Sequence, residues 1–293
     1  YTVSETLDES VLPRQGFDEY NLFDEKTVNL KKRHMELIKK LSKKEKFFAF
    51  LHFTDTHLHY VRDIVQKYEK SENDDEYYKL KKENNEKYNA SVSSCDDYVS
   101  GIIKTLQESN LFEKTVLIFI SDHGTSIGEK YGEKFYGVFV YENTINVFCI
   151  MHIPGKSPKI ISKQCSTIDL FPTIAELAGI RTENKSKIQG QSLLYLIDNS
   201  SAKDREVFVE TGGLYGPWPS PEKHNIFCVK IHGKKLIYND APQTWEFYDL
   251  KNDPNELHNI YDERSKQIGD LKRKLISHFK ENKIITKLNE NTS

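Results

Sequence analysis

TVLIFISDHG, residues 115–124, is the stretch whose reading decides the fold. A short apolar run ends at Ile120 and gives way at once to Ser121, Asp122, His123 and Gly124. A continuous run of β-branched and aromatic residues suits a strand buried on both faces of a parallel sheet. Polar side chains at its carboxyl end stand where ligands gather in open α/β sheets. FFAFLHF, residues 47–53, repeats the pattern and runs into TDTHLHY, residues 54–60. A third strand is expected over 146–153, with Cys149 as a buried thiol within it.

Helical spacing fills the intervals. Residues 25–46 place Val28, Met35, Leu37, Ile38 and Leu41 among lysines and glutamates. Residues 89–111 carry Val92, Val99, Ile102, Ile103 and Leu106 on one face. Residues 61–88, rich in Lys, Glu, Asn and Tyr, read as an exposed helical insertion, and 168–179 as a helix stopped by Gly179. Strands alternating with helices imply an α/β domain whose mostly parallel sheet is covered on both faces. From about residue 200 the pattern changes. Strand-like runs at 207–210, 226–231, 235–238 and 245–250 lie close together, and a charged helix follows over 262–282. This predicts a small antiparallel α+β subdomain, and a division into 1–199 and 200–293.

Composition narrows the function. Net charge is −2 and hydrophobic residues make up 37% of 293, so a basic nucleic-acid-binding face is not expected. No apolar run reaches membrane-span length. The four cysteines, Cys95, Cys149, Cys165 and Cys228, form no CxxC pair and suggest no structural zinc, and disulfides stay open. The chain opens on Tyr1 rather than Met and reads as beginning inside a longer protein, which leaves its compartment, cytoplasmic or exported, undecided.

Two constellations carry chemistry. Asp122 and His123 offer a carboxylate and an imidazole that can share one divalent cation, and Gly124 lets the backbone turn sharply. Alone, such a pair is more often a turn with surface hydrogen bonds. His57 and His59 follow the strand over 47–53 and could bind metal, hold an anion or protonate a leaving group. Lys130 and Lys134 lie close enough in sequence to the Asp-His pair to hold an anionic ester.

Taken together these segments resemble the sulfatase family of the alkaline phosphatase superfamily. SDHG followed by GEK at 128–130 and VYENTINVFCIMHIPG at 140–155 is similar to the family's SDHG, GEHG, YEE and PG series. STIDLFPTIAELAGI at 166–180 resembles its T-x-D-L-x-P-T segment, and GQSLLYLI at 190–197 its G-x-S-L element. GFDEY at 16–20, YNASVSSCDDYVSGIIKTL at 88–106, KKLIYN at 234–239 and EFYDLKNDPNELHNI at 246–260 match further elements in the right order.

The resemblance implies an alkaline-phosphatase-like three-layer α/β/α sandwich and hydrolysis of a sulfate ester by the complete protein. It implies one divalent cation, calcium foremost, with manganese or magnesium as alternatives. Asp122 and His123 fall on metal ligands and His57 on the histidine that assists the leaving group. Lys134 and Lys130 become candidate contacts to the substrate, a small-molecule or saccharide sulfate or phosphate ester. The departures are as specific. No cysteine stands in a C-x-P-S-R context and no Asp-Asp pair follows an N-terminal strand, so the nucleophile is expected outside these residues and the chain alone is expected to be inactive. Lys130 replaces the histidine of GEHG, and Tyr136 falls where a histidine or lysine is common. A phosphodiesterase, phosphatase or phosphoglycerol transferase of the same superfamily, and a non-catalytic binding protein, are the alternatives.

Overall fold

In the computed structural model, residues 2–4, 16–23, 29–53, 75–131, 133, 135–181, 188–199, 202–212 and 225–288 are described. They fall into two compact units, Tyr1–Phe119 with Ile150–Lys156, and Ile120–Cys149 with Ser157–Ser293.

The first unit opens with two short strands, β1 (Thr2–Ser4) and β2 (Asn21–Phe23), which pair in parallel. Helix α1 (Leu30–Leu41) starts where the Asn29 side chain accepts a hydrogen bond from Lys32 N at 3.0 Å. It buries Leu30, His34 and Ile38, one residue per turn. A short helix, α2 (Asp75–Lys79), precedes α3 (Lys81–Glu108), which buries Asn84, Ser91, Tyr98 and Thr105 at sevenfold spacing, with Ile102 and Leu106 beside them. The expected helix over 89–111 therefore begins earlier and absorbs part of the insertion read over 61–88. The two long helices meet at Gly101, where an added Cβ would lie 2.1 Å from Met35 Cε.

His34 is fully buried with Nδ1 2.7 Å from Tyr98 Oη. Burial lowers its pKa to about 4, so the ring is neutral. Tyr98 in turn stacks on Phe53 at 4.0 Å between centroids, anchoring the residue that precedes 54–60.

Strands β3 (Leu117–Ile120) and β4 (Cys149–His152) form a two-stranded sheet. The buried strand expected over 47–53 is not there: the segment has a single bridge at Leu51, and Phe48 and Phe50 are exposed. β4 likewise exposes Ile150 and Cys149, so the buried thiol is Cys228 instead, and all four cysteines are free. The physical reason is shared. A strand is buried on both faces only when neighbours cover it, and among the described residues this sheet pairs two strands.

In the second unit the short helix α4 (Glu142–Ile145) comes first, a capping box at Ser166 and Asp169 then opens a 3-10 turn that runs into α5 (Leu170–Leu177), and α6 (Leu194–Asp198) follows. β5 (Val207–Thr211), β6 (Ile226–Ile231), β7 (Lys234–Asn239) and β8 (Thr244–Asp249) form one antiparallel sheet in chain order. The β6–β7 hairpin turns at His232 and Gly233, with φ of 53° and 72°, the positive pair that a two-residue turn matched to strand twist requires. Alternation sends Phe227, Val229, Leu236, Tyr238 and Phe247 to one face. There α7 (Lys266–Asn282) covers them with Ile268, Leu271, Leu275 and Phe279. Ile226, Cys228, Ile237 and Tyr248 face the other way, onto Val140 and Tyr141. The antiparallel α+β character expected from residue 200 onward is thus present, and its inner face is covered by the segment after the Asp-His-Gly turn.

Candidate active site

β3 delivers the chain into Ser121 and Asp122. The Asp122 side chain is 75% exposed, and its Oδ1 accepts from His123 N at 2.8 Å. His123 Nδ1 lies 2.7 Å from Gly124 O. A carbonyl only accepts, so Nδ1 is the donor there and Nε2 is the ring nitrogen left to face a ligand. Nε2 stands 3.6 Å from Asp122 Oδ2, and the ring stacks on Tyr136 at 3.8 Å. Burial, with the Asp122 charge behind it, raises the pKa of the Tyr136 phenol.

A carboxylate oxygen and an imidazole nitrogen are therefore presented side by side. The second ring nitrogen is held by a backbone carbonyl, the usual way a metal-binding histidine is oriented. The donor chemistry fits half of a divalent-cation site. Among the described residues no group of three or more His, Cys, Asp or Glu side chains completes it.

The turn is packed tightly. Gly124 N donates to Thr144 O on α4 at 2.8 Å, and a Cβ on Gly124 would lie 2.3 Å from Asn143 O. Gly124→Ala must break that approach, and a loss of about 1–3 kcal/mol is expected in denaturant unfolding. Unchanged stability would show that the turn has room to move.

Lys130 points elsewhere than expected. Its ammonium sits 3.8 Å from the centre of the Tyr141 ring and 4.5 Å from that of Tyr248, and donates to Tyr248 Oη and Glu256 O. Burial lowers its pKa. His57 and Lys134 lie outside the described residues.

Sequence reasoning missed a buried ionic network. Lys235 is fully buried, with Nζ 2.8 Å from Glu256 Oε1 and 3.2 Å from Glu142 Oε1, and Lys230 reaches Glu142 at 2.7 Å. Glu142 N donates to Glu256 Oε2 at 2.6 Å. Burial works against the Glu142 charge, but Lys235 and Lys230 outweigh it and lower its pKa. A signal was available: period-two alternation in KKLIYN puts Lys235 on the face of Ile237, which is core.

The sulfatase family model matches residues 8–180. The chain belongs to the sulfatase family. The model for the N-sulphoglucosamine sulphohydrolase C-terminal region matches 131–284. Human arylsulfatase K is 30% identical over 182 residues, which is 59% of this chain and 32% of that protein. An N-acetylglucosamine-6-O-sulfatase from Bacteroides thetaiotaomicron is 28% identical over 207 residues, 67% of this chain and 36% of that protein. The chain thus spans about a third of the length of these relatives.

Solved structures agree in fold. One, in complex with D-glucosamine-2-N,6-O-disulfate, aligns with a TM-score of 0.57 at 23% identity, covering 76% of this chain and 45% of that one. A 2-O GAG sulfatase aligns with a TM-score of 0.62 at 17% identity, covering 94% and 61%. An alkaline-phosphatase-like α/β fold follows.

Within this sulfatase chain, the T-x-D-L-x-P-T segment is architectural. Asp169 is fully buried, accepts from Ser166 N at 2.8 Å and Gln191 N at 2.9 Å, and pairs with Arg205. The two family models overlap over 131–180, the segment that supplies Glu142 to Lys235.

Proposed function

We propose that the protein carrying this chain hydrolyses a sulfate ester, with Asp122 and His123 holding one divalent cation. The observation that carries this reading is the orientation of His123, whose Nδ1 is held by Gly124 O while Nε2 stands 3.6 Å from Asp122 Oδ2. A bound cation would polarise the ester oxygens and lower the charge cost at the reacting centre. Calcium suits the oxygen donors and manganese suits the added imidazole, with magnesium a further fit. His57 would donate a proton to the leaving oxygen, and Lys134 would meet the anionic ester. Lys130 is assigned to holding the turn against the C-terminal sheet, since its ammonium is already surrounded by Tyr141, Tyr248 and Glu256 O. The nucleophile is placed outside these residues, so the chain alone would not turn over.

A sulfated saccharide is the proposed substrate class, in keeping with relatives named for N-acetylglucosamine 6-O-sulfate and with the glucosamine disulfate complex. Residues 1–199 would belong to a three-layer core with a mostly parallel sheet, and 200–293 to its C-terminal subdomain. The test is a paired assay of the protein carrying this chain on a sulfated glucosamine and an aryl phosphodiester, with Ca²⁺ or Mn²⁺ added. Sulfate release is expected to be faster, and His57→Ala is expected to slow it about 10²–10⁴-fold. Preferential cleavage of the phosphodiester would move the protein to the sister chemistry, and no cleavage of either would leave a binding protein.

A further inference from the structure

Behind the Asp122-His123-Gly124 turn lies a buried carboxyl group that the proposed reaction does not use. Glu133 is 1% exposed, and its Oε1 lies 3.1 Å from Thr144 Oγ1. The same hydroxyl lies 3.0 Å from Tyr141 O and 3.5 Å from Phe139 O. A threonine hydroxyl has one proton, and carbonyl oxygens only accept. A charged Glu133 would make three acceptors compete for that proton. A protonated Glu133 removes the conflict: its O–H donates to Thr144 Oγ1, and the threonine proton goes to Tyr141 O. The other carboxyl oxygen, Oε2, is buried without a well-formed hydrogen bond among the described residues, which a charged group would tolerate poorly, and the Asn143 side chain is the neighbouring polar group that favours the charge.

The pair is tied to the turn from both sides. Thr144 O accepts from Gly124 N at 2.8 Å, Ser126 Oγ donates to Glu133 O at 3.2 Å, and Ser126 N donates to Phe135 O at 2.6 Å. We propose that Glu133 is a positioning residue, held as a neutral carboxylic acid, which fixes the Asp122-His123-Gly124 turn through Thr144. This rests on the reading of Asp122 and His123 as a metal-ligand pair.

The electrostatics agree. Burial raises the pKa of Glu133 to about 8; Thr144, Asn143 and the Lys235 ammonium pull the other way, and Glu256 adds to the rise. Among the described residues, Lys130 and Tyr141 also feel its charge. The folded-state pKa lies above the ordinary carboxylate value, so stability from this group is complete at low pH and is lost as pH rises towards about 8. Above that the acid is ionised in the folded state and the clamp loses its donor.

The experiment follows amide exchange at Gly124 and Mn²⁺ affinity in the protein carrying this chain, at about pH 7 and about pH 9. Wild-type Gly124 exchange, corrected for its intrinsic pH dependence, is expected to accelerate roughly tenfold or more between the two. Glu133→Gln, whose amide can donate to the same Thr144 Oγ1, is expected to keep wild-type exchange and Mn²⁺ affinity at the lower pH and to lose the pH response. Glu133→Ala and Thr144→Val are expected to accelerate exchange and weaken Mn²⁺ binding roughly ten- to a hundredfold at both. If Glu133→Ala does not fold, the Gln and Thr144 variants carry the test. Wild-type exchange in Thr144→Val, or a pH response that survives in Glu133→Gln, overturns the proposal. Asp122→Ala separates it from the metal reading: Mn²⁺ affinity is expected to vanish there while Gly124 exchange stays slow. Unchanged Mn²⁺ affinity in Asp122→Ala overturns the metal reading, and the Glu133 clamp is still judged by exchange.

Discussion

Lys235→Ala is expected to destabilise the C-terminal sheet and the segment docked on it by about 3–5 kcal/mol, the cost of leaving buried carboxylates without their cation. Lys235 is fully buried and is the shared partner of Glu256 at 2.8 Å and Glu142 at 3.2 Å. Removing it leaves Lys230 as the remaining ion-pair partner of Glu142 among the described residues, and Glu256 with backbone contacts. Denaturant unfolding of the variant measures the loss. Adding Glu256→Gln to Lys235→Met should recover part of it, because replacing a buried ion pair as a whole costs much less than breaking it. A loss below about 1 kcal/mol would mean that water reaches the network. The same pairing makes an isolated 200–293 a poor folding unit, since Glu142 comes from outside it.

Asp122→Ala and His123→Ala are each expected to lower turnover of the protein carrying this chain by at least about a hundredfold. On the proposed reading, either change would remove a donor from the cation, and the charge stabilisation of the ester would be lost with it. Excess Mn²⁺ or Ca²⁺ should restore part of the activity if the residual ligands still bind, so the deficit should appear as weakened metal affinity. Tyr136→Leu keeps bulk against the imidazole and should cost far less. A full hundredfold loss there would show that the phenol, and not the stack at 3.8 Å, matters.

How much of this was readable from the residues varied with the kind of interaction. Local periodicity carried the C-terminal half: β6 falls on 226–231 as expected, and α7 lies inside 262–282. Strand-plus-polar-turn patterning placed Asp122 and His123 after β3. Burial was less readable, because it depends on what lies opposite. FFAFLHF reads as core, yet Phe48 and Phe50 are exposed; Cys149 sits in an apolar run and is exposed as well. Long-range pairing was the least readable. Lys130 reaches residues more than a hundred positions away, Tyr248 and Glu256, and nothing near GEK announces them. Glu133 could not be distinguished from its many acidic neighbours until Thr144 was placed against it.

The central claim is that His123 Nε2 and an Asp122 oxygen bind one cation. The direct measurement is pulsed electron paramagnetic resonance of Mn²⁺ bound to the protein carrying this chain, labelled with ¹⁵N-histidine. A nitrogen coupled directly to the metal is expected, and it should disappear in His123→Gln. A coupling that survives in His123→Gln, or bound Mn²⁺ with no coupled nitrogen in the wild type, would contradict the claim.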